Sequence, residues 1–363
     1  MKKQTILSVV ILGALVLSVL VGCGPKPTGA PAATEAPAPT EAPAEEEKVL
    51  NVYNWSTYIA EDTIPNFEKQ FGVKVNYDLY DNLEELYAKI SAGNPGYDVI
   101  VPGDYMVEIM IAEDLLEPLN LDNIPNFKNI DEAFLDPPYD PGNKYSVPYQ
   151  WGTLGIGYNI KATGEEITSW AQMWDEKYKG RIAVLEDMRY TMGMALIYLG
   201  YDPNTTDPDD IKAARDFLIE HKDWIKVFAP DTGQILLNQG EVDLTFEWSG
   251  DIFQVMEENE DLRYVIPEEG TIVWTDNLCI PKGAPHKELA ETFINYILDP
   301  KVGADISNYT MYGSPNKAAQ PYLNDLDNPG IYPKDMSKLY FLVDVGEATE
   351  LYDNAWTEIK AGR

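Results

Sequence analysis

The chain has 363 residues, with 60 acidic against 27 basic side chains and a formal net charge of −33. A charge of this sign excludes a nucleic-acid-binding surface, which needs clustered Lys and Arg, and it attracts cationic solutes. Cys23 and Cys279 are the only cysteines, so no disulfide framework is expected and stability must come from packing.

The N-terminus has the pattern of a bacterial lipoprotein signal peptide. Lys2 and Lys3 precede an apolar run over residues 6–21, and Cys23 directly follows small residues. We therefore expect cleavage after residue 22 and lipid attachment to Cys23. The alternative, an uncleaved membrane anchor, is disfavoured because the run is shorter than the ~20 residues that span a bilayer. This pattern predicts a protein held at the outer face of the cytoplasmic membrane or in the periplasm.

Residues 23–48 are rich in Pro, Ala, Thr and Glu, and they lack any periodicity that would form a core. Such a composition is typical of a disordered, semi-extended tether. The following ~315 residues exceed what one hydrophobic core usually holds, so two lobes are expected.

The first part of the folded region alternates strands with helices. Strands are predicted at residues 49–53, 73–77 and 97–101, and helices at residues 59–71 and from Asn82. Glu85 follows Asn82 by three residues, which is typical of a capping box. This alternation indicates a mostly parallel sheet flanked by helices.

A break is predicted at Tyr149–Gly152, and a new strand begins at Leu154. Further elements are predicted in this order: a helix at 168–174, a strand at 182–185, helices at 188–199 and 209–221, strands at 242–246 and 272–280, and helices at 288–297, from about 301 and at the C-terminus. The expected lobes are 49–152 with 276–320, and 153–275 with 321–363. Two crossings between lobes make a hinge, with ligand in the crevice at the carboxyl ends of the strands.

Trp274 and Asp276 stand two positions apart in a predicted strand, and therefore face the same side. An aromatic ring packs methylenes and attracts a cation, while a carboxylate accepts a charge-assisted hydrogen bond. Similar pairings occur at residues 54–58 and 247–251. Three such pairings predict a site for an alkyl ammonium ligand.

Structural explanations exist for several of these residues. Any of the three tryptophans in these pairings is compatible with a core position. Asp251 suits the first turn of a helix, and Asp187 suits either a pairing with Arg189 or a helix cap. Asp276 is harder to explain structurally, because a carboxylate inside an apolar strand needs a partner.

Six short motifs, in order and spacing, resemble the spermidine/putrescine-binding proteins of bacterial ABC importers. They lie at residues 53–58, 97–102, 145–152, 204–208, 248–251 and 312–316. This resemblance extends from about Lys48 to Arg363. It implies the two-lobed α/β periplasmic-binding-protein fold of type II, with a double-crossover hinge and a mixed, mostly parallel sheet flanked by helices in each lobe. It also implies no catalytic activity.

The resemblance further implies a ligand-binding role for ten residues. The aromatic ones would form a box around the aliphatic chain, Asp276 would be the principal ammonium partner, Asp251 would contact the same amine, and Asp187 would lie towards the opposite end. The ten are Trp55, Ser56, Tyr58, Tyr105, Asp187, Trp248, Asp251, Trp274, Asp276 and Tyr312.

Three positions depart from the resembled pattern. Tyr190 stands where most members have a glutamate, Gly103 where serine is common, and Leu342 in a region where a glutamine contacts longer ligands. Glu186 or Asp187 is able to compensate for the missing carboxylate. The sequence therefore leaves open which polyamine is preferred.

The sequence predicts an extracytoplasmic receptor that captures spermidine, putrescine or both and delivers them to the permease and ATPase subunits of an importer. The alternative is a receptor for another cationic solute, such as a quaternary amine or a small peptide. No nucleophile elbow, phosphate loop or Cys/His metal spacing is present, so neither an enzyme, a cofactor nor a metal is expected. Contact with the membrane is expected through the lipid alone, and the protein is expected to be monomeric.

Overall fold

A computed structural model describes residues 48–362. The predicted signal peptide, the tether up to residue 47 and the lipidation site Cys23 lie outside the described residues. No helix in the described part of the chain is both long enough and apolar enough to cross a bilayer.

The described residues contain ten strands and twelve α-helices. The strands are β1 Lys48–Trp55, β2 Val73–Tyr80, β3 Val99–Ile100, β4 Ser146–Asn159, β5 Ile182–Leu185, β6 Ile225–Ala229, β7 Leu244–Trp248, β8 Leu262–Val265, β9 Thr271–Cys279 and β10 Leu339–Tyr340. The helices are α1 Thr63–Phe71, α2 Leu83–Ser91, α3 Asp104–Ala112, α4 Ile160–Thr163, α5 Trp170–Met173, α6 Met188–Leu199, α7 Pro208–Glu220, α8 Gly233–Asn238, α9 Ser249–Glu258, α10 Lys287–Ile297, α11 Pro300–Thr310 and α12 Thr349–Ala361.

The strands form one mixed sheet in which eight follow the order β2-β1-β3-β9-β4-β7-β5-β6, while β8 pairs with β4 and β10 with β9. Parallel pairs occur within the group β1 to β3 and within the group β5 to β7. The antiparallel strands β4 and β9 connect these two groups. The protein is therefore two-lobed, as predicted, and β4 and β9 cross from one lobe to the other. The residue limits of the lobes remain a prediction.

The predicted break at Tyr149–Gly152 is wrong. Strand β4 continues through these residues for 14 positions, and its register against β9 shifts between Pro148 and Gln150. Proline has no N–H to donate to a ladder, so the strand bulges there instead of ending. One crossing between the lobes is consequently a continuous strand.

Most predicted elements are present, with shifted ends. The Asn82 cap is confirmed, because its side chain accepts a hydrogen bond from the Glu85 N–H at 2.8 Å. Helix α1 begins at Thr63, four residues later than predicted, since Pro65 is tolerated only in a first turn. Cys279 is a fully buried residue of β9.

Strand β4 packs so closely against β8 that Gly155 has no room for a side chain. A Cβ at this position would lie 2.5 Å from the Val265 carbonyl oxygen and 2.6 Å from the Tyr264 ring. We expect Gly155→Ala to lower the free energy of unfolding by about 1–3 kcal/mol through overpacking. Denaturant unfolding measures this change.

Gly303→Ala is the matched control for that substitution. Gly303 lies inside α11, and its Cβ would meet its nearest neighbours at 3.4 Å, which is ordinary contact. Alanine favours a helix interior over glycine by about 1 kcal/mol, so this variant should be equally stable or more stable. Equal destabilisation of both variants would contradict the close packing of β4 and β8.

Candidate functional site

A narrow cavity lies where the ends of β1 and β7 approach the middle of β9. Its volume is about 300 Å³. A cavity of this size suits a small solute. The lining residues are Trp55, Ser56, Tyr58, Asp231, Trp248, Asp251, Trp274, Asp276 and Tyr312. Eight of the ten residues predicted to bind ligand therefore lie together, and Asp231 was not predicted.

Aromatic rings form the walls of this cavity. The Trp274 ring packs edge to face against Trp248 and Tyr312, with centroids 5.5 and 5.2 Å apart. Trp55 packs against Trp248 at 6.0 Å, and Tyr58 against Tyr312 at 5.2 Å. These rings are in contact with one another and together form the aromatic wall of the cavity, which we call the slot.

Asp276 points into the slot from β9, on the same side as Trp274. It is 5% exposed, and no Lys, Arg or His of residues 48–362 forms an ion pair with it. Burial raises the pKa of Asp276 well above its ordinary value, and the charge of Asp104 adds to this effect, while the Tyr58 hydroxyl opposes it. A cationic group at this position would restore the ordinary ionised state of the carboxyl group.

A second group of carboxyl side chains lies at the cavity, formed by Asp231, Glu247 and Asp251. One oxygen of each lies within 4.8 Å of the others, and all three side chains are buried. Glu247 belongs to β7, Asp251 to the first turn of α9, and Asp231 to the turn after β6. We call these three residues the acidic cluster.

Two residues that follow β1 contact the acidic cluster. The Ser56 hydroxyl donates a hydrogen bond to Asp231, and the Thr57 hydroxyl donates one to Asp251 at 3.0 Å. The Tyr312 hydroxyl also donates to Asp251 at 3.0 Å. Burial raises the pKa of Asp251 to about 6, although these hydrogen bonds oppose the shift. Burial, with the charge of Asp251, raises the pKa of Asp231 and of Glu247 well above the ordinary values.

The other two predicted residues, Tyr105 and Asp187, do not line this cavity. Asp187 caps α6 by accepting the Tyr190 N–H at 3.3 Å, which is one of its two structural explanations. The Arg189 guanidinium carbon lies 5.5 Å from the centroid of the Tyr105 ring. Tyr105 lines a separate cavity together with Glu84. The ring of Tyr190 packs against Tyr105 on one side and Trp248 on the other, and so separates the two cavities. The resemblance did not predict this separation.

Sequence reasoning missed Asp231 and Glu247 for different reasons. Asp231 lies in a turn with no motif, and its backbone has a positive φ of 28°, which is unusual for a residue other than glycine. Glu247 interrupts the apolar strand β7, which was a usable signal for a buried carboxyl group in need of a partner.

Residues 63–333 match the family model described as bacterial extracellular solute-binding protein. The chain belongs to this family. The match confirms that the chain is a solute-binding protein, as the six motifs indicated. The two-lobed α/β fold is the fold that this resemblance predicted.

Individual relatives of this solute-binding protein cover almost all of its folded region. The spermidine/putrescine-binding periplasmic protein of Salmonella typhimurium is 37% identical over 324 residues, covering 88% of this chain and 93% of the relative. The putrescine-binding periplasmic protein PotF of Escherichia coli is 35% identical, with coverage of 88% and 93%. The crystal structure of the TpPotD lipoprotein of Treponema pallidum matches with a TM-score of 0.78 at 32% identity, over 86% of this chain and 99% of that one.

Asp104 supports the site from behind, accepting the Tyr105 N–H at 2.8 Å and the Thr275 N–H at 3.2 Å. Burial raises the pKa of Asp104 to about 7. A carboxyl group whose pKa is higher in the folded than in the unfolded protein stabilises the fold below its unfolded pKa, and this stability is lost as pH rises through the folded pKa. Ionisation of Asp104 should therefore lower the free energy of unfolding by about 2 kcal/mol as the pH rises from about 5.5 to about 8.

Asp104→Asn should remove that part of the pH dependence from the ligand-free protein. The variant will be less stable at low pH because its amide replaces one of two acceptors, but its stability should decline less towards pH 8. Denaturant unfolding across this range measures both effects. Asp114→Asn is the charge-matched control, because Asp114 is exposed and pairs with Lys282 at the surface. If the free energy of unfolding depends on pH equally in the wild type and in Asp104→Asn, the raised pKa does not belong to Asp104.

Proposed function

We propose that this solute-binding protein is the extracytoplasmic receptor of an ABC importer and captures a polyamine, spermidine or putrescine, between its lobes. The observation that carries this proposal is Asp276, a buried carboxyl group among aromatic rings with no basic partner in the described chain. Relatives named as spermidine/putrescine-binding and putrescine-binding proteins support the same ligand class.

The chemistry of the slot favours a primary amine over the alternatives. An ammonium group donates three hydrogen bonds, which the carboxyl and hydroxyl oxygens of the slot are able to accept. A quaternary amine has no N–H and would leave those oxygens without donors. The backbone carbonyl groups of a peptide would need hydrogen-bond donors, whereas the side chains that line the cavity are mainly carboxyl groups and aromatic rings.

The aromatic residues have a complementary role in this proposal. Trp55, Trp248, Trp274, Tyr58 and Tyr312 would replace water around the methylene chain and attract the ammonium groups through their ring faces. Each cation–π contact contributes roughly 0.5–2 kcal/mol. Ser56, Asp251 and Asp276 would accept hydrogen bonds from the amines.

Delivery of the ligand to the permease would depend on the two-lobed architecture. Ligand that contacts both lobes stabilises their closed arrangement by its differential affinity for that state, and the permease recognises the closed receptor. We propose that β4 and β9 act as the hinge, that the receptor is a monomer, and that it performs no chemical reaction. ATP hydrolysis would belong to the partner subunits.

Asp276→Asn tests the ligand class. The substitution keeps the size of the side chain but removes the charge that holds the ammonium group, so polyamine affinity should fall about 30-fold or more. Because Asp276 lacks a basic partner, the stability of the ligand-free protein should be unchanged or slightly higher. Calorimetric titration with putrescine, spermidine, spermine, choline and a dipeptide measures the first effect, after unfolding and refolding to remove carried-over ligand.

Asp114→Asn again serves as the charge-matched control and should bind as the wild type does. Binding of choline or the dipeptide instead of any polyamine would reject the proposed ligand. Unchanged polyamine affinity in Asp276→Asn would reject the role of Asp276.

Lipid attachment is the proposed route to the membrane. The Treponema relative is named a lipoprotein, and Cys23 follows the expected signal pattern. Replacing Cys23 by Ser should move the protein from the membrane fraction to the soluble fraction without changing ligand affinity. Retention of the Cys23→Ser variant in the membrane fraction would contradict lipid attachment at this residue.

A further inference from the structure

We propose that this protein has a second ligand site, separate from the slot, which binds an amphipathic amine with its ammonium group beside Asp104 and Glu108 and its apolar body against Phe341. The site is the cavity between helix α3, the loop 133–139 and the segment 341–343 that follows β10, and we call it the Phe341 cavity. The slot and the Phe341 cavity share no lining residue, so this inference does not depend on the proposed function.

The Phe341 cavity lies on the opposite side of β9 from the slot. Thr275 lines it, whereas the neighbouring Trp274 and Asp276 line the slot, as the alternation of a strand requires. Its volume is about 950 Å³, which is within the range of about 300–1,000 Å³ that is typical of sites for small molecules. Most of its lining residues are apolar or aromatic, among them Phe134, Leu135, Pro137, Tyr139, Phe341 and Val343.

Two of the large apolar side chains in this cavity are exposed to solvent. Phe341 is 45% exposed and Val343 is 43% exposed. They line the cavity together with Phe134 and Tyr139. Exposed apolar side chains that lie together are typical of a surface that binds a ligand or a partner. An apolar body bound here would remove several of these side chains from water.

Every charged side chain that lines the Phe341 cavity is acidic. The three are Asp104, Glu108 and Asp136, and none of them forms an ion pair with a basic side chain of residues 48–362. Asp104 and Glu108 stand one turn apart on α3, where like charges repel each other. A cation in the cavity would relieve this repulsion and an anion would add to it, so the charge of the cavity is complementary to a cation.

Two of these carboxyl groups are held in place and still have capacity to accept hydrogen bonds. Asp104 is 1% exposed, and the N–H groups of Tyr105 and Thr275 donate to its two oxygens. Glu108 Oε2 accepts the Asp344 N–H at 3.0 Å, while no hydrogen bond within residues 48–362 uses Glu108 Oε1. Each carboxylate oxygen accepts more than one hydrogen bond, so an ammonium group would find acceptors at this end of the cavity.

Arg189 does not occupy this site. Its guanidinium donates a hydrogen bond to the Val343 carbonyl oxygen at 3.1 Å, but it lines the cavity of Tyr105 and Glu84. Val343 lines the Phe341 cavity and Arg189 does not, so the guanidinium approaches this segment from outside the cavity. The ammonium group of a ligand would therefore meet no basic side chain among the lining residues.

The test is calorimetric titration of the mature protein with three related probes, phenethylamine, 2-phenylethanol and 3-phenylpropionate. They share a phenyl ring and a two-carbon spacer, and they differ in the charge of the end group. Phenethylamine should bind saturably and at least about tenfold more tightly than either of the other probes. Equally tight binding of the alcohol or the acid would overturn the cationic class of ligand, and absence of phenethylamine binding to the folded protein would overturn the site.

Two substitutions test the location of the bound probe. Glu108→Gln keeps an acceptor for the Asp344 N–H but removes the charge, and Phe341→Ala removes part of the apolar surface. Each should weaken phenethylamine binding at least about tenfold. Asp114→Asn and Leu351→Ala are the matched controls, because Asp114 is an exposed acidic residue and Leu351 an exposed apolar residue of α12, and neither lines the cavity. Unchanged affinity in either cavity variant would overturn the proposal.

Asp276→Asn separates the Phe341 cavity from the slot, since an aromatic amine is also able to enter a cavity of rings and carboxyl groups. Phenethylamine binding that persists in Asp276→Asn and is lost in Glu108→Gln supports the proposal. Binding that is lost in Asp276→Asn and kept in Glu108→Gln would place the probe in the slot and overturn it. The polyamine titrations of the wild type are read separately, because failure to bind any polyamine would reject the proposed function and leave the result for the Phe341 cavity unchanged.

A second copy of this chain is the competing occupant of the exposed apolar side chains. Sedimentation equilibrium of the wild type and of Phe341→Ala distinguishes it from an amine. Dimerisation that Phe341→Ala abolishes would assign the cavity to the second copy and overturn the proposal, whereas a monomeric wild type supports it.

Discussion

Buried carboxyl groups without basic partners are the constraint on which this structure depends. Asp231, Asp251 and Asp276 line the cavity together with aromatic rings, and Glu247 is buried beside Asp231 and Asp251. Their negative charge opposes close contact of the lobes until protons or a cation balance it. Under the proposed function, closure and recognition would therefore be the same event, because the ligand would supply the missing charge.

Only a few elements of the fold carry these carboxyl groups and the rings around them. Strand β9 carries Trp274 and Asp276, and it pairs with β4 along the line that joins the two lobes. The end of β7 and the start of α9 supply the acidic cluster, and the turn after β1 reaches across to it. Strand β9, which takes part in the crossing, thus also carries two of the proposed binding residues, so a movement of the lobes would change the proposed site directly.

Much of the fold and of the site was predictable from local pattern. The spacing of Trp274 and Asp276 required only the alternation of a strand. Helix α3 was missed because it is apolar on nearly every side and shows no amphipathic period, and the bulge in β4 was mistaken for a break. Asp231 was missed because its meeting with Glu247 depends on how α8 packs against β7, which no local motif specifies.

The selection of a cationic ligand depends on which buried carboxyl groups lack a basic partner and which ones have a basic side chain nearby. Asp231, Asp251 and Asp276 line the cavity without forming an ion pair with any basic side chain of residues 48–362. Beyond the ring of Tyr190, by contrast, the Arg189 guanidinium opposes the rise that burial causes in the pKa of Asp187 and of Glu84. An ammonium group gains most where it replaces protons on buried carboxyl groups, and least where it competes with a resident cation.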